Sequence, residues 1–365
     1  MSQPYRLAVL PGEGIGPEVI RAACDVLAAL SELEDFRVEF RNGAIGQAAF
    51  DACGEPLSQE TIALCESADA ILFGAIERYG ILELRRQFGF YANLRPVRLA
   101  PCLTNCSSLK PDVVAGLDIL FVRELVSGIY FGSSGRGHDE DGPFGFHTMR
   151  YHDHEIRRVA RVAIDKARIR RGRLTVAHKE NALPQIPWRR LVEEEAARLE
   201  PVTVEPMLVD TLAMELVRDP NQFDVILAGN LFGDILSDIG GSLVGSLGML
   251  PSASLNEHGF GLYEPVHGTA PSLAGRGVAN PLGAVGAVEM MLEQWGQTRA
   301  ANRLRLAVES VLAQGCHTAD LIRDGRRAAS TREMTEAIIR ELSDTAAQTA
   351  AAPTRKLASA LPSPA

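Results

Sequence analysis

Three things are missing from this 365-residue sequence, and each removes a class of function. No uninterrupted apolar run approaches the roughly 18 residues that span a bilayer, and the opening MSQPYRLAVLPGEG has no basic segment followed by a long apolar core. A cytoplasmic protein with no membrane partner is therefore expected. Positive charge is short as well: 37 Lys and Arg against 46 Asp and Glu leave a net charge of -9. Nothing overall offsets phosphate repulsion, so no nucleic-acid partner is expected, although a local basic pocket remains open. Finally, the six cysteines (Cys24, Cys53, Cys65, Cys102, Cys106 and Cys316) form no CxxC pair. They read as reduced, mostly buried thiols rather than a disulfide framework.

What is present describes a soluble globular protein: 46% apolar residues, 23% charged residues and 33 glycines. The length suggests about two domains or one large α/β domain. RLAVL (6–10) leads through the glycine turn PGEGIGPE into PEVIRAACDVLAAL, whose apolar residues recur at helical spacing after Pro17. Further strands are expected in FRVEF (36–40), ADAILFGAI (68–76), LDILFVREL (117–125), RLTVAHK (173–179), PVTVEPMLV and FDVILAG (223–229). Helices are expected at 154–171, in IPWRRLVEEEAARLE and beyond Asp234. This alternation favours a largely parallel sheet covered by helices. The polar, glycine-rich stretch 132–148 reads as a loop or extended arm. The last twenty residues, rich in alanine, proline and serine, read as a disordered tail.

Several residues are candidates for chemistry. PGEGIGPE is either a cofactor-contacting loop or a tight turn; it matches the dinucleotide fingerprint poorly because a proline follows the glycines. In GNLFGDILSD, Asp234 and Asp238 stand at i and i+4, so a helix stacks two like charges on one face. A divalent cation between them, magnesium or manganese for hard oxygen ligands, resolves the conflict; a helix-dipole role for Asp234 is the alternative. Asp210 in LVDTLAM is a third ligand or an N-terminal helix cap. Arg95 and Arg123 follow or end apolar runs, where a guanidinium is rarely placed without an anion to bind. Arg85, Arg86 and Arg98 suit either a polyanionic substrate or a solvated face. Lys179 and Tyr130 sit after strands as proton-transfer candidates or structural residues. The run His152 to Glu155 reads as a solvated helix start.

In order, LPGEGIGPE, ANLRP, VREL with GIYFG, HKEN, VDTLAM, GNLFGDILSD, GSLGMLPSAS and EPVHGTAP with GVANP resemble the isocitrate/isopropylmalate dehydrogenase family of β-decarboxylating dehydrogenases, across residues 6 to 343. The resemblance implies an α/β two-domain fold with a parallel or mixed sheet, distinct from the Rossmann fold. Its large cofactor domain would be 1–92 with 248–344, its small domain with a dimerisation arm 93–247, and 345–365 a disordered tail. It also implies oxidation of a 3-substituted malate, with 3-isopropylmalate as first candidate, followed by loss of carbon dioxide. Isocitrate, homoisocitrate, tartrate, D-malate and aryl-malates are the alternatives, and a non-catalytic regulatory homologue is the alternative of another class.

On the same grounds Arg85, Arg95 and Arg123 grip the substrate carboxylates, Ile81 and Leu82 contact its variable group, and Asn181 lies beside it. Asp210, Asp234 and Asp238 hold Mg2+ or Mn2+, with Asp210, which also binds substrate, and Lys179 reaching in from the second subunit of a homodimer with shared active sites. Lys179 is the base and Tyr130 the acid. His267, Gly268, Ser272 and Asn280 line the site for NAD, with NADP left open because Ser272 replaces the family's aspartate. Two further departures are Glu13 in the opening motif and the short stretch AIERYGILEL between Gly74 and Arg85, which places Arg78 where the family has a glutamate.

Overall fold

A computed structural model describes residues 3–199, 201–323 and 325–351, with side chains described through 344. Ten strands form one sheet: β1 (Tyr5–Gly12), β2 (Val38–Asn42), β3 (Ala70–Ala75), β4 (Ala92–Arg98), β5 (Asp118–Glu124), β8 (Arg173–His178), β9 (Thr203–Leu208), β10 (Val225–Ala228), β11 (Pro251–Leu255) and β12 (Gly261–Pro265). Two more, β6 (Ser134–Asp139) and β7 (Gly142–His147), form a separate hairpin. The order in the large sheet is β2-β1-β3-β12-β11-β4-β5-β10-β8-β9.

The short apolar runs are strands because both of their faces are buried. In β1, Leu7 and Val9 enter the main core, while Ala8 and Leu10 enter a second cluster with Ile45, Ile71, Phe73 and Leu84. Helix Gly16–Leu33, opened by Pro17, lays Val19, Ile20, Ala23, Val26, Leu27 and Leu30 on the main-core side.

The expectation of a largely parallel sheet is corrected at its centre. β2, β1, β3 and β12 run parallel, as do β5, β10, β8 and β9, but β11 and β4 are antiparallel to both of their neighbours. The two halves of the sheet therefore run in opposite directions. Of the two readings of 132–148 the extended arm holds and the loop does not: the segment pairs with itself from Ser134↔His147 through Asp139↔Gly142. Glycines at every second or third position hide the strand period, and only Phe144 and Phe146, both exposed, carry it.

The first-strand turn is tied down by backbone hydrogen bonds. Its N–H groups are spent inside the protein, Glu13 on the Ala75 carbonyl and Ile15 on that of Thr269. Of the six thiols only Cys65 and Cys106 are buried, and Cys53 and Cys102 are exposed. His152 does open a helix, with its N–H donated to Glu155 at 2.7 Å. Helix Thr331–Ala351 runs into the segment expected as tail, and the remainder of that tail lies outside the described residues. Among the described residues no helix is long and apolar enough to cross a membrane.

Candidate active site

Strands β4 and β5 place Asn93 directly opposite Arg123, and Arg95 follows Asn93 by two residues. All three side chains consequently leave the same face of the sheet. Helix Asn230–Leu243, which follows β10, lies across that face. Gly233 permits the approach: a Cβ there would come within 2.8 Å of two Arg123 side-chain carbons.

The result is a buried cluster of guanidiniums facing helix carboxylates. Arg123 is 2% exposed and Arg95 6%. Arg123 Nη1 is paired with Asp234 Oδ1, while its Nε and Nη2 donate to Asn230 Oδ1 at 3.2 and 2.8 Å. Arg95 Nε donates to Asn93 Oδ1 at 2.8 Å and its Nη1 to Ser237 Oγ at 2.8 Å. The same Nη1 lies 3.4 Å from an oxygen of Asp234 and 3.4 Å from one of Asp238. The i, i+4 carboxylates thus converge, as the spacing predicted.

Burial, and then the charge of Arg95, pushes the Arg123 guanidinium well below its usual range. Burial pushes Arg95 down too, against the pull of Asp234. Burial raises the Asp238 carboxyl, opposed by Arg95. Tyr130, on the short turn Gly128–Tyr130, donates its hydroxyl to Asp234 Oδ2 at 3.2 Å. Its phenol is raised by burial and then by Asp234.

Other candidates form separate groups. Arg85 is buried, not on a solvated face, and its Nη2 reaches Glu264 Oε1 at 3.1 Å while its Nε has no partner. Ile81 and the exposed Leu82 open the same helix, Ile81–Gln87. Lys179 and Asp210 emerge beside each other, because β8 and β9 are parallel with His178 opposite Leu208. Lys179 Nζ donates to Asp210 Oδ1 at 2.5 Å, which holds the Asp210 carboxyl below its ordinary range. Asn181 is exposed on the turn that follows. Among the described residues no group of three or more His, Cys, Asp or Glu is gathered as a metal would need, so Asp210 does not join Asp234 and Asp238 within one chain.

The cofactor candidates follow β12. His267 is buried, with Nδ1 2.9 Å from the Gly268 carbonyl and Nε2 unpartnered. A Cβ on Gly268 would meet no atom within 4 Å, so the protein's own packing does not demand glycine there. Asn280 spends its amide inside the protein, on Asp320 at 2.9 Å and on the Leu282 N–H at 3.0 Å. The Ser272 carbonyl accepts from Arg276. Sequence reasoning missed Asn230, Ser237 and Glu264, although Asn230 and Ser237 stood inside GNLFGDILSD and Glu264 opened EPVHGTAP.

Residues 6–338 match the profile of the isocitrate/isopropylmalate dehydrogenase family. The chain is 46% identical over 358 residues to the 3-isopropylmalate dehydrogenase of Bordetella avium (strain 197N), covering 92% of this chain and 99% of that one. It is 42% identical over 354 residues to that of Aquifex aeolicus (strain VF5), covering 93% and 97%. The fold is similar to isocitrate dehydrogenase from Methylococcus capsulatus, with a TM-score of 0.83 at 29% identity over 93% of this chain and 99% of that one. It is likewise similar to a β-decarboxylating dehydrogenase from Thermococcus kodakarensis in its apo form, with a TM-score of 0.79 at 36% identity over 96% and 100%.

Proposed function

The chain belongs to the isocitrate/isopropylmalate dehydrogenase family, and from that premise we propose that it oxidises 3-isopropylmalate and releases carbon dioxide to give 4-methyl-2-oxopentanoate, with reduction of NAD. The observation that carries this reading is the convergence of two buried guanidiniums, two carboxylates and a phenol on one sheet face. Arg95 and Arg123 are charged and desolvated beside Asp234 and Asp238, an arrangement that suits a dicarboxylate bound together with a cation on those aspartates. The buried, unpartnered Nε of Arg85 suits the same role. Ile81 and Leu82 offer an apolar wall to the isopropyl group.

Asp234 and Asp238 supply convergent hard oxygens that fit Mg2+ or Mn2+. Such a cation stabilises negative charge developing on the substrate oxygen. Lys179, as the free amine, accepts the hydroxyl proton as C2 is oxidised, and Asp210 then holds the ammonium that forms. NAD, once bound, would supply the hydride acceptor. Tyr130, whose phenol is raised and therefore protonated at neutral pH, returns a proton to the carbon that loses carboxylate. Asn181 stands beside the substrate.

For the cofactor, the open space over Gly268 and the unpartnered Nε2 of His267 fit a close-lying adenosine, with Ser272 and Asn280 on the same segment. NAD is the proposed partner, and NADP is the second arm of the test.

A homodimer follows from where apolar surface remains. Met214 and Val217 are exposed on helix Val209–Arg218, which starts beside Asp210, and Ile235 is exposed on the neighbouring helix beside Asp234. A second copy covering these side chains brings its Lys179 and Asp210 toward the first copy's Asp234 and Asp238. The sheet division at β11 and β4 supports two domains, 1–92 with 248–344 and 93–247, and a cytoplasmic location completes the reading.

One observation favours a second substrate. Arg78, Phe50 and Tyr79 line a cavity of 330 Å³ at the carboxyl ends of β1 and β3, room for a larger or charged variable group. The test is purified protein with Mg2+ or Mn2+, each substituted malate, and NAD or NADP, read by nicotinamide absorbance. Preference for 3-isopropylmalate supports the proposal; preference for another malate moves the substrate, and no reduction with any of them overturns it.

A further inference from the structure

We infer that Asn230 is a positioning residue whose one carboxamide sets both the guanidinium of Arg123 and the turn that carries Tyr130. Asn230 is 1% exposed, the first residue of helix Asn230–Leu243, and its own N–H is fixed on Tyr151 Oη at 2.9 Å. Its Oδ1 accepts Arg123 Nε and Nη2, which uses both lone pairs of that oxygen. Its Nδ2 donates to the Ser127 carbonyl at 3.0 Å. The amide orientation is fixed by these partners: reversed, it would set N–H against N–H at Arg123 and oxygen against oxygen at Ser127.

Both ends of this contact lead to the site. With Nε and Nη2 held by Asn230 and Nη1 by Asp234, the plane of the Arg123 guanidinium cannot turn. On the other side, Ser127 immediately precedes the Gly128–Tyr130 turn. The Ser127 peptide is gripped twice, its N–H by Glu124 at 3.0 Å and its carbonyl by Asn230. Tyr130 then reaches Asp234, one helical turn beyond Asn230. One helix face therefore carries a positioning side chain and, four residues on, the carboxylate whose neighbours it positions. The carboxamide offers its acceptor and its donor on separate atoms, Oδ1 for two N–H groups of Arg123 and Nδ2 for the Ser127 carbonyl. An aspartate serves the first and opposes the second.

This inference rests on the reading of Arg123 and Tyr130 given above. It is tested with Asn230→Ala and Asn230→Asp in the full-length protein, by steady-state kinetics with 3-isopropylmalate, Mg2+ and NAD, alongside thermal unfolding. Losing hydrogen bonds to a charged group, Asn230→Ala should raise KM about tenfold or more and lower kcat by a similar factor. Asn230→Asp should return KM to within about threefold of wild type yet leave kcat about tenfold low, because only the Arg123 half is restored. Identical kinetics in the two variants, or no change in either, overturns the inference, as does a fall in thermal midpoint alone.

Should the wild-type protein reduce cofactor with no substituted malate, the functional reading fails by itself. Crystal structures of the two variants then decide the positioning claim. Displacement of residues 127–130 in both, with Arg123 reoriented only in the alanine variant, supports it; unmoved residues in both overturn it.

Discussion

Tyr130 donates its hydroxyl to Asp234 Oδ2 across 3.2 Å. The phenol is thereby aimed at the carboxylate proposed to hold the metal, and burial keeps it protonated beyond its ordinary range. Tyr130→Phe should lower kcat by about 100-fold, the usual scale for a lost general acid, with little change in KM. Steady-state kinetics at neutral pH measures this; a kcat within twofold of wild type removes Tyr130 from the proton path.

Asp234 and Asp238 should separate when metal dependence and stability are measured together. Either Asp→Asn change should raise the Mg2+ concentration for half-maximal activity by about tenfold or more. Asp238 is half-exposed and its charge is opposed by burial, so Asp238→Asn should leave the metal-free thermal midpoint unchanged or slightly raised. Asp234 is the partner of the buried Arg123, so Asp234→Asn should destabilise the metal-free protein by about 1–3 kcal/mol. Equal stability of the two variants would contradict this ion-pair assignment.

The proposed sharing of sites between two subunits makes a mixing experiment quantitative. Lys179→Ala and Asp234→Ala homodimers should each be inactive. A mixed dimer has one site with both groups intact, so denaturing and refolding an equal mixture should recover about a quarter of wild-type activity. Recovery of none would place Lys179 and Asp234 of one chain in one site.

Glu124 predicts a pH dependence of stability. It is fully buried at the end of β5, and burial pushes its carboxyl up to about 7 despite the N–H groups of Val126 and Ser127. A folded pKa above the unfolded one means the folded state binds more protons between about pH 4.5 and 7, so this residue's contribution falls as pH rises through that window. Glu124→Gln should remove a loss of up to about 3 kcal/mol between pH 5 and pH 8. Unfolding curves at the two pH values check it; equal slopes for both proteins would show that Glu124 ionises normally.

The strands to either side of the sheet's centre were legible in the sequence because each is a short apolar or alternating run between turns; β1, β3, β5, β8 and β10 are largely buried, and the edge strands β2 and β9 are half-buried. The central ones were not. β4 carries Asn93, Arg95 and Pro96, and β11 carries Pro251, Ser252 and Ser254, a composition that argues against a buried strand. These polar groups satisfy one another: Asn93 Nδ2 donates to Ser252 at 3.3 Å and to Ser254 at 3.0 Å while its oxygen holds Arg95. That network exists only after strands 160 residues apart in sequence meet, so no local pattern announces it. At the site, the i, i+4 spacing identified Asp234 and Asp238, since helical geometry is local. Asn230 and Glu264 act through partners on other elements and gave no such signal. The Arg85–Glu264 pair spans 179 residues.

The order of strands also bears on how the chain reaches this state. β3 and β4 have no neighbour in common except through the β11–β12 hairpin, which arrives after residue 250. During synthesis the β5-β10-β8-β9 block can assemble from residues 118 to 228, and β2-β1-β3 from residues 5 to 75. Until the hairpin emerges, β3 and β4 each present an open edge, the kind of surface that pairs with other chains. Closing the sheet is therefore a late, long-range event, and between translating Arg98 and translating Pro265 both edges lack the strands that cover them in the finished fold.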